Sequence, residues 1–304
     1  MNRGTILVTG ADLPAPALEI LQDYDIVYAG RAPTESDLVG LVLAHDPVGM
    51  IVRYGKITAK VIKSGKRLKA LSKYGSGIDS IDTVAAEQCA VEVRAAAGVN
   101  AVSVAEHAVG LMLACSKSLL GLDQRMRAGY WDKPIHRSRE LQGRTLGLIG
   151  LGAIGRHVAS VSGALGMRVL SHDPYLKEMP PGIEKAAIDD IWTNSDVISL
   201  HCPLNDETRG LVDRRSFEAM KPGVILINTA RGGIVDEDAL LEAIRNGKVS
   251  RAGIDCFAQE PPPSDHPFFL EDRIVLTPHV GAVSEEAYVR VGIAASRNLL
   301  DCLR

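Results

Sequence analysis

The chain has 304 residues, and its 46% hydrophobic and 23% charged fractions are those of an ordinary soluble globular protein. Its formal net charge of -3, spread without any block of like charges, argues against a nucleic-acid or membrane-surface partner. The length exceeds what one hydrophobic core usually supports, so two domains are expected.

Cysteine usage and apolar runs point to the cytoplasm. The five cysteines show no paired spacing, which argues against a disulfide framework or a metal site. The apolar run 6–8 is too short for a signal-peptide core, and no later run approaches the roughly 18 apolar residues of a membrane span. We therefore expect a cytoplasmic protein without a bound metal.

Short β-rich runs alternate with longer helical patterns along the first hundred residues. This alternation is typical of βαβ units that form a parallel sheet. The predicted strands are residues 5–8, 25–28, 49–53, 68–72 and 91–94. The pattern predicts a small doubly wound α/β domain over residues 1–99.

A long, mostly buried helix is predicted over residues 103–118, at the start of a second domain. Ser103 is expected to cap its first turn, and Glu106, three residues later, to complete a capping box. The second domain is predicted to span residues 100–283.

A further series of strands predicts a larger parallel sheet in this second domain. The predicted strands are residues 146–149, 168–171, 197–201, 224–228, 252–255 and 274–277. The amphipathic pattern over residues 284–304 has no strand after it, so we expect this helix to complete the first domain. The fold class is therefore α/β, with two doubly wound parallel sheets.

A glycine motif lies between the first strand and the first following helix of the second sheet. In "GLIGLGAIG", Gly150 permits a tight turn, Gly152 lets a pyrophosphate approach the backbone and Gly155 lets helix and strand pack closely. Asp173 follows the next strand, where a carboxylate hydrogen-bonds ribose hydroxyls and repels a 2'-phosphate, which favours NAD over NADP. A methyltransferase pairs a glycine-rich turn with an acid in the same way, so the motif alone leaves both classes open.

Four polar residues follow the carboxyl ends of other strands in the second domain, where open parallel sheets bind their ligands. They are Arg231, Asp255, Glu260 and His279. An arginine can hold a planar carboxylate, a histidine can exchange a hydroxyl proton, and a neighbouring carboxylate favours the protonated histidine. Hydride transfer to and from a 2-hydroxy acid needs this set of groups, whereas methyl transfer does not.

Seven motifs give the chain a resemblance to a known family over nearly its whole length. They are "SKYGSGIDSID", "SVAEHAVGLML", "GLIGLGAIG", "HCPLNDET", "INTARGGIVDEDAL", "GIDCFAQEPP" and "TPHVG". The chain closely resembles the D-isomer-specific 2-hydroxyacid dehydrogenases, and among them the phosphoglycerate dehydrogenase branch. The resemblance implies a Rossmann NAD-binding domain, a smaller flavodoxin-like substrate domain and a homodimer.

The resemblance also implies roles for residues of the second domain. In the implied catalytic trio, Arg231 orients the substrate, His279 is the acid/base and Glu260 is its partner. Further implied contacts to NAD are Ala153, Ile154, Asp173, Cys202, Pro203, Thr229, Ala230 and Asp255. Gly281 is expected to leave room for the nicotinamide that His279 faces.

Substrate-binding residues are implied in the first domain. Gly75, Ser76 and Gly77 correspond to a loop whose backbone N–H groups bind the substrate carboxylate. Arg53 corresponds to a position that helps to bind a distal phosphate. Ser80 stands where the branch usually has asparagine, and we expect a short form that lacks a C-terminal regulatory domain.

The resulting hypothesis is an NAD-dependent oxidoreductase that interconverts a D-2-hydroxy acid and its 2-keto acid. The first substrate candidate is 3-phosphoglycerate with phosphohydroxypyruvate, and the alternative is the reduction of hydroxypyruvate or glyoxylate. A corepressor-like protein that senses NAD(H) would retain the same trio, so a binding protein stays open as the competing class.

Overall fold

The computed structural model describes residues 3–304 of the chain, which form two compact units. Unit 1 contains the chain up to Asn100 together with Ala282–Arg304, and unit 2 contains Ala101–Gly281. Among the described residues, no helix combines the length and the apolar character that crossing a bilayer requires.

Unit 1 contains a five-stranded sheet in which all neighbouring strands are parallel. Its strands are β1 (Thr5–Val8), β2 (Asp25–Tyr28), β3 (Gly49–Val52), β4 (Ala70–Lys73) and β5 (Glu92–Ala95). The helices that connect them are α1 (Ala15–Ile20), α2 (Glu35–His45), α3 (Ala59–Ser64) and α4 (Thr83–Gln88). The strand order is β2-β1-β3-β4-β5, so the winding of the sheet reverses between β1 and β3.

Local sequence signals explain where the elements of unit 1 begin. β1 and β3 consist almost wholly of buried apolar residues, as expected for central strands that are covered on both faces. α2 starts with a capping box, in which the Thr34 hydroxyl accepts from the Asp37 N–H at 3.2 Å and the Asp37 carboxylate accepts from the Thr34 N–H at 2.9 Å.

Unit 2 contains a seven-stranded sheet, again with all neighbouring strands parallel. Its helices are α5 (Ala101–Lys117), α6 (Leu119–Arg127), α7 (Ala153–Ala164), α8 (Ile188–Asn194), α9 (Arg214–Ala219) and α10 (Glu237–Arg245). Its strands are β6 (Thr145–Ile149), β7 (Arg168–His172), β8 (Ile183–Lys185), β9 (Val197–Leu200), β10 (Val224–Asn228), β11 (Val249–Ile254) and β12 (Ile274–Leu276). The order β12-β11-β10-β9-β6-β7-β8 places the reversal of winding between β6 and β9.

Two features of unit 2 differ from the prediction. The sequence pattern gives no sign of β8, because it is a three-residue edge strand with mostly exposed side chains and no apolar run. The predicted cap at Ser103 is wrong: α5 begins at Ala101, so Ser103 lies within the helix and forms no capping box with Glu106. The buried Ser103 hydroxyl instead donates to the carbonyl oxygen of Gly281 at 2.8 Å.

The last helix, α11 (Glu285–Leu303), belongs to unit 1 although it follows unit 2 in the chain. Its residues Ala295 and Leu299 are fully buried in a cluster with Ile6 and Ile51 of the sheet. The buried Ser72 hydroxyl of β4 donates to the Ala295 carbonyl oxygen at 2.8 Å. α11 therefore supplies part of the hydrophobic core of unit 1.

Candidate active site

His279 lies in a tight turn at the carboxyl end of β12. Its backbone is left-handed, with φ at 52°, which is uncommon for a residue with a side chain. Its Nδ1 lies 2.7 Å from Oε2 and 2.9 Å from Oε1 of Glu260. The imidazole is 41% exposed and the carboxylate 38% exposed, so both groups remain accessible to a ligand.

The Asp255 carboxylate holds the turn in place. It accepts hydrogen bonds from the backbone N–H groups of Val280 and Gly281, both at 2.9 Å, and from the Thr277 hydroxyl at 2.6 Å. His107 of α5 lies 3.4 Å from the same carboxylate. Burial favours the neutral acid, but these donors outweigh burial and lower the pKa of Asp255 to about 2. The turn is therefore anchored on a permanent negative charge.

Gly281 completes this anchored turn. A Cβ added there would lie 3.0 Å from the Asp255 carboxylate and 3.4 Å from the His107 ring. Since both contacts are tight, glycine at this position allows Asp255 and His107 to approach the backbone.

Glu260 is fixed by the segment that follows β11. Its Oε1 accepts from the Phe257 N–H at 3.1 Å, while both of its oxygens face His279. Burial acts to raise the pKa of Glu260, but the hydrogen bond from His279 and the positive charge of Arg231 contribute to a net lowering. The carboxylate is therefore ionised at neutral pH and accepts a hydrogen bond from the imidazole beside it.

Arg231 follows β10 and lies at the same edge of the sheet. The Asn228 side-chain amide donates to the Arg231 carbonyl oxygen at 2.9 Å. At the next residue, Gly232, an added Cβ would lie 1.9 Å from the backbone carbon of Phe257. Only glycine lets the loop after β10 contact the loop after β11 this closely, and this contact brings Arg231 near Glu260.

A buried thiol lies beside the histidine and the carboxylate. Cys256, Glu260 and His279 each have one potential metal-ligand atom, and these three atoms lie within 4.8 Å of one another. Metal binding would require the thiolate, whereas burial strongly raises the pKa of the Cys256 thiol. Nδ1 of His279 and the Glu260 carboxylate are already paired, so the geometry fits an acid/base pair better than a metal centre.

The predicted glycine turn connects β6 to α7. Gly150 has a φ of 92°, and a Cβ there would lie 2.7 Å from the His201 carbonyl oxygen. A Cβ on Gly155 would lie 2.4 Å from the Gly150 carbonyl oxygen. Around Gly152, by contrast, an added Cβ would meet no described atom within 4 Å. The outer two glycines are needed for packing, and the middle one faces open space.

The residues around this turn fit a dinucleotide. Gly152 is the N-cap of α7 and gives no side-chain hydrogen bond to the first turn, so backbone N–H groups there can bind a pyrophosphate. The Asp173 carboxylate accepts from the Leu151 N–H at 2.8 Å, which ties it to the turn. The Thr229 hydroxyl is buried and makes no hydrogen bond within the described residues, so it is available to a ligand.

The other residues expected to contact the cofactor lie along the same edge of unit 2. Ala153 and Ile154 form the first turn of α7, and Ala230 follows Thr229 after β10. Cys202 and Pro203 follow β9, and burial raises the pKa of the Cys202 thiol to about 11. The thiol is therefore neutral at physiological pH.

The residues expected to bind substrate lie in unit 1. Gly75, Ser76 and Gly77 follow β4, with Gly75 at a φ of 139° and open space where a side chain would be. The Ser76 hydroxyl donates to Asn100 Oδ1 at 3.2 Å. Arg53 follows β3 and forms an ion pair with Asp12.

The sequence interpretation missed three residues that shape these sites. His107 and Thr277 support the His279 turn, and Asp12 pairs with Arg53. Asp12 lies beyond the carboxyl end of β1. A search for polar residues that follow strands predicts Arg231 and His279 in the second sheet, and in the first sheet it would also predict Asp12. His107 lies inside a helix, where its spacing gives no signal.

Comparison with known proteins agrees with this geometry. The family model for the D-isomer specific 2-hydroxyacid dehydrogenase NAD binding domain matches residues 109–281. Hydroxypyruvate reductase of Thermotoga maritima is 39% identical over 283 residues, which are 92% of this chain and 92% of that protein. D-3-phosphoglycerate dehydrogenase of Archaeoglobus fulgidus is 42% identical over 249 residues, which are 81% of this chain and 47% of that protein.

A solved structure matches over both units. A crystal structure of a protein from Thermus thermophilus has a TM-score of 0.91 and 34% identity, and the match covers 98% of this chain and 96% of that chain. The chain spans about half the length of the A. fulgidus enzyme but nearly all of the T. maritima enzyme. The protein therefore belongs to the D-isomer specific 2-hydroxyacid dehydrogenases, a family of oxidoreductases that use a nicotinamide dinucleotide.

Proposed function

We propose that the protein interconverts a D-2-hydroxy acid and its 2-keto acid with NAD as the hydride carrier. The observation that carries this proposal is the pairing of His279 with Glu260 at 2.7 Å, on the sheet edge that also bears Arg231 and the glycine turn. An imidazole fixed by a carboxylate can exchange a proton with a bound hydroxyl group, which is the protein's part in this reaction.

Each residue of the trio has a distinct task. Arg231 binds the substrate carboxylate through its planar guanidinium. Because Glu260 binds Nδ1 of His279, Nε2 is the atom that gives a proton to the substrate oxygen during reduction and takes it back during oxidation. The nicotinamide, when bound, supplies or accepts the hydride. Asp255 keeps the histidine in position through the turn.

The choice of NAD over NADP rests on Asp173. Its carboxylate lies at the end of β7 beside the glycine turn, where it would bind ribose hydroxyls and repel a 2'-phosphate. The other proposed contacts are Gly150, Gly152, Ala153, Ile154, Gly155, Cys202, Pro203, Thr229, Ala230, Asp255 and Gly281. Unit 2 is thus the proposed NAD-binding domain.

Unit 1 is the proposed substrate domain, with the loop of Gly75, Ser76 and Gly77 binding the substrate carboxylate. Two three-carbon substrates fit the proposal, phosphohydroxypyruvate and hydroxypyruvate. The ion pair between Arg53 and Asp12 favours hydroxypyruvate, because the guanidinium that a phosphate would need is already paired with the Asp12 carboxylate.

We also propose a cytoplasmic homodimer. All five cysteines are free thiols, which suits a reducing compartment. Several large apolar side chains of unit 2 are exposed along α6 and the segment after it, namely Leu119, Leu120, Met126, Tyr130, Trp131 and Ile135. Such a group of exposed apolar residues is typical of a protein–protein interface.

The test is an NADH-consumption assay with glyoxylate, hydroxypyruvate, phosphohydroxypyruvate and 2-ketoglutarate, repeated with NADPH. We expect reduction of at least one of the short keto acids, faster with NADH than with NADPH. His279→Ala should lower turnover by roughly 100-fold to 10,000-fold because proton transfer is lost.

Binding of NADH, followed by protein fluorescence, should be nearly the same in the wild type and in His279→Ala. A wild-type protein that binds NADH but reduces none of the four acids would contradict the proposal and favour a NAD(H)-sensing protein. Equal turnover in the His279→Ala variant would contradict the acid/base assignment.

A further inference from the structure

Five side chains of unit 1, which we call the Arg53 cluster, lie beyond the carboxyl edge of its sheet. They are Asp12, Arg53, Tyr54, Tyr74 and Tyr288. Asp12 follows β1 and Arg53 directly follows β3, the neighbouring strands between which the winding reverses. Ligands of open α/β sheets bind at such a switch point, so the cluster lies where a ligand is expected.

The guanidinium of Arg53 is surrounded by aromatic rings. Its central carbon lies 4.8 Å from the ring centre of Tyr74, 5.3 Å from that of Tyr288 and 5.4 Å from that of Tyr54. The side chain is only 12% exposed. A cation with so little access to water requires a counter-charge.

Asp12 provides this counter-charge from within the protein. Nη1 of Arg53 donates to the Asp12 carboxylate and, at 2.5 Å, to the Asp12 carbonyl oxygen. The Tyr288 hydroxyl donates to the same carboxylate at 2.8 Å. These hydrogen bonds lower the pKa of Asp12, so the carboxylate is ionised at neutral pH. Asp12 itself is 58% exposed and presents its negative charge to the solvent side of the cluster.

On the basis of the proposed function, we propose that Asp12 determines substrate specificity by excluding 2-keto acids with an anionic distal group. A phosphate that approached Arg53 would meet the Asp12 carboxylate and would have to displace the hydrogen bonds that Arg53 and Tyr288 give to Asp12. A hydroxymethyl group carries no charge and can donate a hydrogen bond to the same carboxylate. The Arg53 cluster therefore favours hydroxypyruvate over phosphohydroxypyruvate.

The experiment measures kcat/KM for both keto acids in the wild type, in Asp12→Asn and in Asp23→Asn. The Asp12→Asn substitution keeps the size of the side chain and one accepting oxygen, to which Arg53 and Tyr288 can still donate, but removes the charge. We expect the ratio of kcat/KM for phosphohydroxypyruvate to that for hydroxypyruvate to rise at least about 10-fold in Asp12→Asn, because a like charge beside the phosphate is removed.

Asp23→Asn is the matched control, since it makes the same change of net charge at an exposed residue of unit 1 whose side chain lies 3.9 Å from that of Arg3. It should leave the ratio unchanged. Inorganic phosphate gives a second measurement, because it should inhibit Asp12→Asn at lower concentration than it inhibits the wild type.

Failure of this inference can be distinguished from failure of the proposed function. Reduction of glyoxylate, which has no distal group, tests the proposed function alone. If the wild type reduces glyoxylate but uses both three-carbon acids equally well, the role of Asp12 is wrong. The inference is also wrong if the ratio shifts no more in Asp12→Asn than in Asp23→Asn.

Discussion

In unit 2, the conformation of His279 depends on its neighbours. A left-handed backbone at a residue with a side chain costs on the order of 1 kcal/mol or more, and the structure must hold it. Asp255 does so by binding the N–H groups of the two residues that follow, Val280 and Gly281. Asp255 thus controls the orientation of an imidazole that it does not contact in any described hydrogen bond.

Replacing Glu260 by glutamine should slow proton transfer by His279. The Glu260 carboxylate accepts from Nδ1 of His279 with both oxygens, at 2.7 Å and 2.9 Å, and so fixes the orientation of the imidazole. A glutamine has a similar size but offers one accepting oxygen and no charge. We expect kcat for keto-acid reduction to fall at least about 10-fold, as measured by steady-state kinetics with NADH.

Glu218→Gln is the control for this comparison, because Glu218 is an exposed residue near the end of α9. Its kcat should equal that of the wild type. A Glu260→Gln variant with the kcat of the wild type would show that Glu260 has no influence on proton transfer by His279.

Among the elements, α7 shows how one helix serves both packing and ligand binding. Its N-terminal end approaches the glycine turn so closely that only glycine fits at residue 155. This close packing of α7 against the turn also places the backbone N–H groups of the first helical turn beside the open space around Gly152. Packing and the proposed pyrophosphate site therefore depend on one glycine.

Two glycines of α7 give a matched pair of substitutions. Gly155→Ala should lower the free energy of unfolding by about 1 to 3 kcal/mol and weaken NADH binding, because the new methyl group would lie 2.4 Å from a backbone oxygen. Gly163→Ala should stabilise the helix by about 0.5 to 1 kcal/mol, because beyond the helix's own backbone the added carbon would meet no described atom within 4 Å. Thermal unfolding and NADH titration measure both effects, and equal behaviour of the two variants would contradict this account.

The sequence predicts the central strands of both sheets because they are buried on both faces. Continuous apolar runs such as those of β1, β3 and β10 stand out against their polar flanks, and each of these strands ends at the predicted residue or directly before it. β8 has no such run, because an edge strand with exposed side chains needs none. The prediction for Ser103 is wrong for another reason. The sequence does not distinguish a serine that caps a helix from one whose hydroxyl binds a residue distant in the chain, here the Gly281 carbonyl oxygen.

The candidate site is predictable where a side chain follows a strand. Arg231, Glu260 and His279 are found this way, and their grouping in the structure follows from the parallel sheet. Residues that act through tertiary contacts are not predictable, since neither the helix position of His107 nor its spacing indicates its approach to Asp255. The pairing of Asp12 with Arg53 depends on strand order, which the sequence does not state.

For the whole molecule, the exposed apolar side chains of α6 and the following segment predict self-association. Trp131 is 68% exposed and Leu120 is 46% exposed. Leu120→Asp combined with Trp131→Asp should convert the proposed dimer into a monomer of 32.5 kDa, because charged groups at an interface core oppose association. Sedimentation equilibrium measures the mass directly.

Leu270→Asp is the control for this double variant, since Leu270 is 89% exposed in another part of unit 2. It should remain dimeric. A wild-type protein that sediments as a monomer, or a double variant that remains a dimer, would contradict the proposed interface.

The placement of α11 affects the order in which the chain can fold during synthesis. The side chains of Ile6 and Ile51 are translated before unit 2, whereas Leu299, which packs in the same cluster, is translated after unit 2. Unit 2 is continuous in sequence and can close its own core before unit 1 is complete. Until α11 leaves the ribosome, the sheet face that carries Ile6 and Ile51 is only partly covered, by Ala17 of α1. A chain without α11 would expose the rest of that apolar face to solvent, where it promotes aggregation.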